Sequence, residues 1–284
     1  MANSASQFSV VTPSFQHSAW LKLCVASVAD QGVTHEHIVQ DAGSTDGTLD
    51  WLLRDPRVTA FVEQDRGMYD AINRGLARAR GEILSYLNCD EQYLPDALSA
   101  IANYFAAHPE VDLAFGHFIV VDPHGEYLFH RKVQTPLKNH LRVSHLPAFS
   151  CAMFFRRRLL EATGQWFNPE LRAVGDGDWV LRLLERGVRM GVVDRFTYVF
   201  TLHADNLGQS ETALREARAM HARAPDWVRW LKPAWILQHR LRRLAGGVYR
   251  QPPFSFSLYT HAGPDRISRH VAQPNWRWQT APRT

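Results

Sequence analysis

Residues 8–40 read FSVVTPSFQHSAWLKLCVASVADQGVTHEHIVQ, and their apolar pattern changes period twice. Phe8-Ser9-Val10-Val11-Thr12 is β-rich and predicts a strand closed by Pro13-Ser14. Trp20, Leu21, Cys24, Val25 and Val28 then recur at the three-and-four spacing of one buried helix face. His37-Ile38-Val39-Gln40 returns to strand. A helix between two strands is the connection that parallel strands require, whereas antiparallel neighbours need only a tight turn.

The alternation continues outward. Asp41 to Thr48 is a loop leading to a short helix through Leu52-Leu53, and Val58 to Val62 is a third strand. A helix through Tyr69, Ile72 and Leu76 stops at Gly81, where glycine suits a left-handed helix end. Glu82 to Leu87 is a fourth strand, and Pro95 opens a helix carrying Leu98, Ile101 and Phe105. Beyond it, Leu113–Val121 and Tyr127–Val133 flank the turn Asp122-Pro123-His124-Gly125. Phe149–Phe155 and Val192–Leu202 add strands, with a helix over Asp178–Arg186 between them. The predicted fold is α/β, a Rossmann-like, mostly parallel sheet flanked by helices over residues 1–205. Residues 206–284 form a helical extension rich in basic residues and tryptophan.

A chain of 284 residues with 45% hydrophobic content can bury its own core without disulfides. Cys24, Cys89 and Cys151 are odd in number and widely spaced, which fits reduced thiols rather than a disulfide frame or a zinc module. The first residues have no basic and apolar leader pattern, and no run of about 18 apolar residues occurs. The expected location is therefore the cytoplasm. The net charge of +4 is unevenly spread: Arg215, Arg218, Arg223, Arg229, Lys232, Arg240, Arg242, Arg243 and Arg250 crowd the extension. The loops of the first 110 residues instead carry Asp41, Asp46, Asp65, Asp70, Asp90 and Glu91, a poor surface for a nucleic-acid backbone.

Ligands of open parallel sheets bind at the carboxyl ends of the strands. Here those ends deliver Thr12-Pro13-Ser14, Asp41, Asp65-Arg66 and Asn88-Cys89-Asp90-Glu91. Neither G-x-G-x-x-G nor G-x-x-x-x-G-K-[ST] is present, so dehydrogenase and nucleotide triphosphatase readings lose their main support. Five ordered segments take their place: Val11–Phe15, Asp41–Thr48, Asp65–Asn73, Asn88–Glu91, and Gly175-Asp176-Gly177-Asp178 ahead of Arg182. Together, over residues 7 to 205, they resemble the family 2 glycosyltransferases, inverting enzymes of the glycosyltransferase A-type fold, and most of all bacterial members that build surface polysaccharides.

The resemblance implies a nucleotide-sugar donor, most simply UDP-linked, a glycan or lipid-linked glycan acceptor, and Mg²⁺ or Mn²⁺. It places Thr12, Pro13, Ser14, Asp41, Asp65, Arg66, Asn73, Asn88 and Cys89 around the nucleotide. Asp41 would accept the N3–H of uracil, or else bond only its own turn. Ser44 and Asp46 read first as turn and helix-start residues. Asp65 and Arg66 flank the base or phosphates, or form a solvated pair. The family's Asp-x-Asp element stands here as Asn88-Cys89-Asp90, which leaves Asp90 as the main metal ligand, with His203 a second candidate. Cys89 reads as a small buried residue rather than a nucleophile.

The family's catalytic base is the second residue of a Glu-Asp pair. Aligned on Arg182-Leu183, Gly175 stands in place of the glutamate and Asp176 is the base, with Asp178 the alternative. A helix start should hold either carboxyl low. His145, ahead of Pro147 and Phe149, is an acceptor-site candidate.

Trp227, Trp230 and Trp235 interleave with the arginines of the extension, which suits an anionic membrane surface, single-stranded nucleic acid or a packed helix. The enzyme context favours the membrane, and nucleic acid is not the expected partner. Two rivals remain: a nucleotide-sugar-binding protein without catalysis, and a basic nucleic-acid-binding protein.

Overall fold

The strand-helix-strand unit forms as β1 (Phe8–Ser14), α1 (Ser18–Ala29) and β2 (His35–Asp41) in a computed structural model that describes residues 7–164, 166–203, 206 and 210–278. β1 extends past Thr12 because Pro13 and Ser14 still pair with Gln40 and Asp41 of β2. α2 (Thr48–Leu52), β3 (Thr59–Val62), α3 (Met68–Arg78) and β4 (Ile83–Tyr86) follow. Gly81 has a role other than the expected helix end. α3 stops at Arg78, and a Cβ on Gly81 would stand 2.4 Å from the Phe8 carbonyl carbon and 2.5 Å from the Ser9 nitrogen. The glycine is needed for close backbone approach to β1, not for a left-handed turn.

The chain continues through β5 (Glu91–Tyr93), α4 (Ala97–Ala107), β6 (Leu113–Val121) and β7 (Tyr127–Arg131). β6 and β7 are the expected hairpin, its turn held by Asp122 Oδ1, which accepts from the backbone N–H of His124 and Glu126 at 2.9 Å each. After α5 (Lys138–Leu141) come β8 (Met153–Arg156), α6 (Arg157–Thr163), α7 (Gly175–Glu185) and β9 (Met190–Thr201). The strand expected from Phe149 begins only at Met153, after a 3₁₀ turn over Ser150–Ala152. Apolar residues buried on every side carry no alternation to mark that boundary.

The sheet order is β3-β2-β1-β4-β8-β6-β9-β5, with β7 on β6. β3, β2, β1 and β4 are parallel, as are β6 and β9. β8 runs antiparallel to both β4 and β6, β5 to β9 and β7 to β6, so the sheet is mixed, with six of its nine strands in one direction as expected. β8 starts beside the carboxyl end of β4, where Phe154 pairs with Ser85, and runs back along it to pair Arg156 with Ile83. Helices flank this mixed central sheet, the layout the resemblance implies. Phe155 and Phe167 close around Trp179 of α7, with ring centroids 5.0 and 4.6 Å away, and anchor that helix to the sheet.

The extension is helical through α8 (Glu211–Ala222), α9 (Asp226–Trp230) and α10 (Lys232–Ala245), then forms an unexpected antiparallel pair, β10 (Phe254–Leu258) and β11 (Ile267–Val271). The signal is the strict alternation Phe254-Ser255-Phe256-Ser257-Leu258. Phe256, Leu258 and Val271 cluster with Ile119, Val121 and Val199 of the main sheet. Arg266 locks the pair in place: its Nε donates to Asp30 at 2.5 Å and its Nη2 to the Tyr93 carbonyl at 3.0 Å. Among the described residues no helix is long and apolar enough to cross a membrane.

Candidate active site

The carboxyl ends of β1, β2, β3, β4 and β9 surround a cavity of about 700 Å³. Pro13, Ser14, Asp65, Asn88, Cys89, Asp90, Asp176 and His203 line it, so the sequence segments do converge. Its size suits a nucleotide-sized ligand.

Asp41 lies beneath this surface, fully buried. Its Oδ1 accepts from the backbone N–H of Gly43 at 2.9 Å and of Ser44 at 2.7 Å, and its Oδ2 from the hydroxyls of Ser14 at 2.9 Å and Ser44 at 2.8 Å. The Ser14 bond ties the end of β1 to that of β2, and the three bonds within the loop fix Ala42, which does line the cavity. Asp46 accepts from the Ser18 N–H at 2.9 Å and from the Thr48 hydroxyl at 2.5 Å, the turn role expected of it. Thr12 is buried against His37 Nε2 at 2.9 Å.

Asp65 faces the cavity, and burial raises its carboxyl above the usual range even though it accepts from the Gly67 N–H at 2.8 Å. Arg66 turns outward to Glu170 at 3.1 Å. Asn73 is away from the cavity wall and clamps the Phe167 backbone, donating to its carbonyl at 2.7 Å and accepting its N–H at 3.1 Å. Phe167 in turn stacks on Tyr69 at 5.7 Å.

At the end of β4, Asp90 Oδ2 is 2.8 Å from His203 Nε2, joining the two candidate metal ligands. Asn206 Nδ2 lies 3.4 Å from the same oxygen, and the Trp20 ring stacks on His203 at 6.0 Å. Asn88 Oδ1 and Glu91 Oε2 are buried beside them without a hydrogen-bond partner among the described residues. Burial, then the charge of Asp90, pushes the Glu91 carboxyl well above the usual range. Burial likewise raises the Cys89 thiol, which makes it a poor nucleophile. Among the described residues no three His, Cys, Asp or Glu side chains converge as a metal site. Two protein ligands nevertheless suffice for a hard divalent cation that takes its remaining oxygens from substrate phosphates.

The two aspartates of α7 separate cleanly. Asp178 accepts from Arg182 Nε at 2.9 Å and is not on the cavity wall, whereas Asp176 is. Asp176 Oδ1 accepts from the Gly177 N–H at 2.8 Å and lies 3.4 Å from the Tyr69 hydroxyl. Burial outweighs the helix start and raises its carboxyl to about 6, contrary to the low value expected from sequence. Gly175 explains the missing glutamate: a Cβ there would stand 2.6 Å from the Tyr69 ring. The ring that bonds Asp176 occupies the space a larger side chain would need.

His145 lines a different, smaller cavity that shares Phe149 and Trp278 with the large one. The sequence reading also passed over His17, Tyr69, Phe149, Phe200, Asn206 and Trp278, all on the large cavity's wall. Tyr69 sits inside the quoted Asp65–Asn73 segment, so its position was legible. Trp278 is brought in by the fold alone.

The family model described as Glycosyl transferase family 2 matches residues 9–164. A PGL/p-HBAD biosynthesis glycosyltransferase of Mycobacterium tuberculosis is 29% identical over 215 residues, spanning 72% of this chain and 78% of the relative. Among solved structures, an S. aureus TarS fragment (1–349) in complex with UDP-GlcNAc superposes with a TM-score of 0.58 at 17% identity, covering 84% of this chain and 73% of the fragment. The mannosyltransferase PcManGT from Pyrobaculum calidifontis, in complex with GDP-Man and Mn²⁺, gives 0.55 at 18% identity, covering 86% and 80%.

Proposed function

The chain belongs to glycosyl transferase family 2 and is a glycosyltransferase, and we propose that it transfers a sugar with inversion from a UDP-sugar to a hydroxyl of a glycan or lipid-linked glycan in polysaccharide or glycolipid synthesis. The observation that carries this reading is one cavity holding the Asp90–His203 pair and, from another helix, an Asp176 carboxyl raised to about 6. A relative named for PGL/p-HBAD biosynthesis and neighbours in complex with UDP-GlcNAc or GDP-Man support it.

Asp176 accepts the proton of the acceptor hydroxyl. That oxygen bonds to the anomeric carbon as the bond from this carbon to the diphosphate breaks, and the electron pair leaves with UDP. Tyr69 and the Gly177 N–H orient the carboxylate. Asp41 holds the loop that cradles the base, and Asp65 lies beside the base and ribose. Asp90 and His203 would hold Mg²⁺ or Mn²⁺, which supplies positive charge for the departing diphosphate.

UDP should raise the melting temperature in Mn²⁺ or Mg²⁺ and much less in chelator, because the metal offsets repulsion between the diphosphate and Asp90. Equal shifts in both conditions would remove the metal from the reading.

For the extension, the proposal is reversible attachment to an anionic leaflet. Trp230, Leu237, Leu241 and Leu244 are 82%, 57%, 56% and 65% exposed on α9 and α10, between arginines. Each basic residue near such a surface is worth about 1 kcal/mol. In flotation, wild type should rise with anionic vesicles at low salt and Arg240→Glu with Arg229→Glu should not. Wild type that stays at the bottom of the gradient rejects the attachment.

A further inference from the structure

Behind the wall that Phe149 and Trp278 share lies a second cavity of about 100 Å³. The two rings meet edge to face at 5.8 Å and separate it from the large one. Its polar lining is Arg131, Lys132, Gln134, His145, His239 and Arg243, with no carboxylate. It forms where the end of β7 meets α10, and Gln134 Nε2 donates to the Arg242 carbonyl at 2.8 Å to hold the joint.

Among the described residues no carboxylate lines this cavity to balance its charges. A buried guanidinium ordinarily pairs with an acid. Arg131 instead lies over the Phe129 and Trp278 rings at 5.7 and 5.9 Å, and Arg243 over Tyr249 at 4.7 Å. Arg243 Nη2 is buried with no hydrogen-bond partner among the described residues. The charged side chains facing His145 are Arg131, Arg243 and His221, and those facing His239 are His140, His145, Arg242 and Arg243. Burial, then these neighbours, keeps His239 neutral down to about 3 and lowers Arg131 to about 10. Packing alone does not account for a cluster that raises its own electrostatic cost. A bound anion would relieve it.

We propose that this cavity is an oxyanion subsite that takes a phosphoryl group of the acceptor, while the acceptor hydroxyl lies beyond the Phe149–Trp278 wall beside Asp176. The inference rests on the glycosyltransferase reading above. A phosphoryl group is favoured over a carboxylate because Arg131, Lys132 and Arg243 present three cations with no carboxylate among the described lining residues, and guanidinium forks match its several charged oxygens. The space admits one small anion and little more.

The full chain, with UDP and Mg²⁺ present, is titrated with inorganic phosphate and followed by melting temperature. Sodium acetate at equal ionic strength is the control. Phosphate should stabilise wild type well beyond acetate, and Arg243→Gln and Arg131→Gln should each raise the half-effect concentration about tenfold or more. Arg243→Lys, which keeps the charge and loses the fork, should fall between and guards against a folding defect in the glutamine variant. Competition by phosphatidic acid vesicles assigns the group to a lipid-borne phosphate, and its absence to a soluble phosphosaccharide. Equal effects of phosphate and acetate, or a phosphate effect unchanged in both glutamine variants, overturns the subsite. The UDP shift is read on the same samples, so loss of the UDP effect alone sinks the donor reading and loss of the phosphate effect alone sinks this one.

Discussion

Asp176→Asn is expected to lower turnover by about 10²–10⁴ while leaving UDP affinity near wild type, since a positioned general base contributes about that much. The asparagine keeps the size and can still accept from the Gly177 N–H, so the helix start is preserved. Asp178→Asn should cost far less, because that carboxylate is occupied with Arg182 and does not reach the cavity. Steady-state transfer assays on the two variants decide the assignment. A dead Asp178→Asn beside an active Asp176→Asn would move the base by two residues.

The pH profile gives an independent reading of the same group. With its carboxyl at about 6, Asp176 is protonated below that pH and a base above it. The acidic limb of kcat should therefore fall about tenfold per pH unit below 6 and flatten above it. The sign for stability is the reverse. A carboxyl raised from 3.8 to about 6 on folding destabilises the protein above pH 6, and that cost disappears as pH falls below the unfolded value. A two-unit shift corresponds to about 3 kcal/mol, which the water of the cavity reduces to about 1–2 kcal/mol. Asp176→Asn should accordingly melt higher than wild type at pH 7.5 and no higher at pH 4. This pairing of lost turnover with gained stability is what a buried catalytic carboxyl produces, and a capping aspartate would show the opposite.

What sequence reveals here depends on how local the cause is. The β1-α1-β2 unit was legible because period is a local property, and the strand ends followed from it. Asp90, His203 and Asp176 were legible because each closes or opens an element whose pattern marks its boundary. Gly81 was found for the wrong reason: its constraint is the backbone of β1, more than seventy residues earlier, and a lone glycine does not say which neighbour demands it. The carboxyl shift of Asp176 was missed for a similar cause. The helix-start bonds that lower it are local, and the burial that raises it is set by the tertiary packing around α7. Asp41 reads equally as a base contact or a turn from sequence, and three of its four hydrogen bonds come from its own loop while the fourth, from the Ser14 hydroxyl, is placed by tertiary structure. Trp278 reaches both cavities from the far end of the chain through a hairpin whose alternation was present in the sequence but had no assigned partner.

Asp90→Asn should reduce transfer by about 10²–10³, the scale of losing one preorganised charge at the site of developing charge, and should abolish the difference between UDP stabilisation in Mn²⁺ and in chelator. The amide still fits beside His203, whose ring lies 2.8 Å from the wild-type oxygen and is held by stacking on Trp20 at 6.0 Å, so the cavity keeps its shape. His203→Gln should retain more activity than Asp90→Asn, because a neutral ligand is lost rather than the charge that balances a divalent cation. Glu91 does not replace Asp90. Burial and the adjacent Asp90 favour its neutral form, and removing Asp90's charge eases ionisation of Glu91 only as far as its burial permits. Thermal shift with UDP and Mn²⁺, alongside transfer rates, separates the two roles. If Asp90→Asn keeps its metal-dependent UDP shift and Glu91→Gln loses it, the cation is held by the buried glutamate and the Asp90–His203 pair is a structural bond.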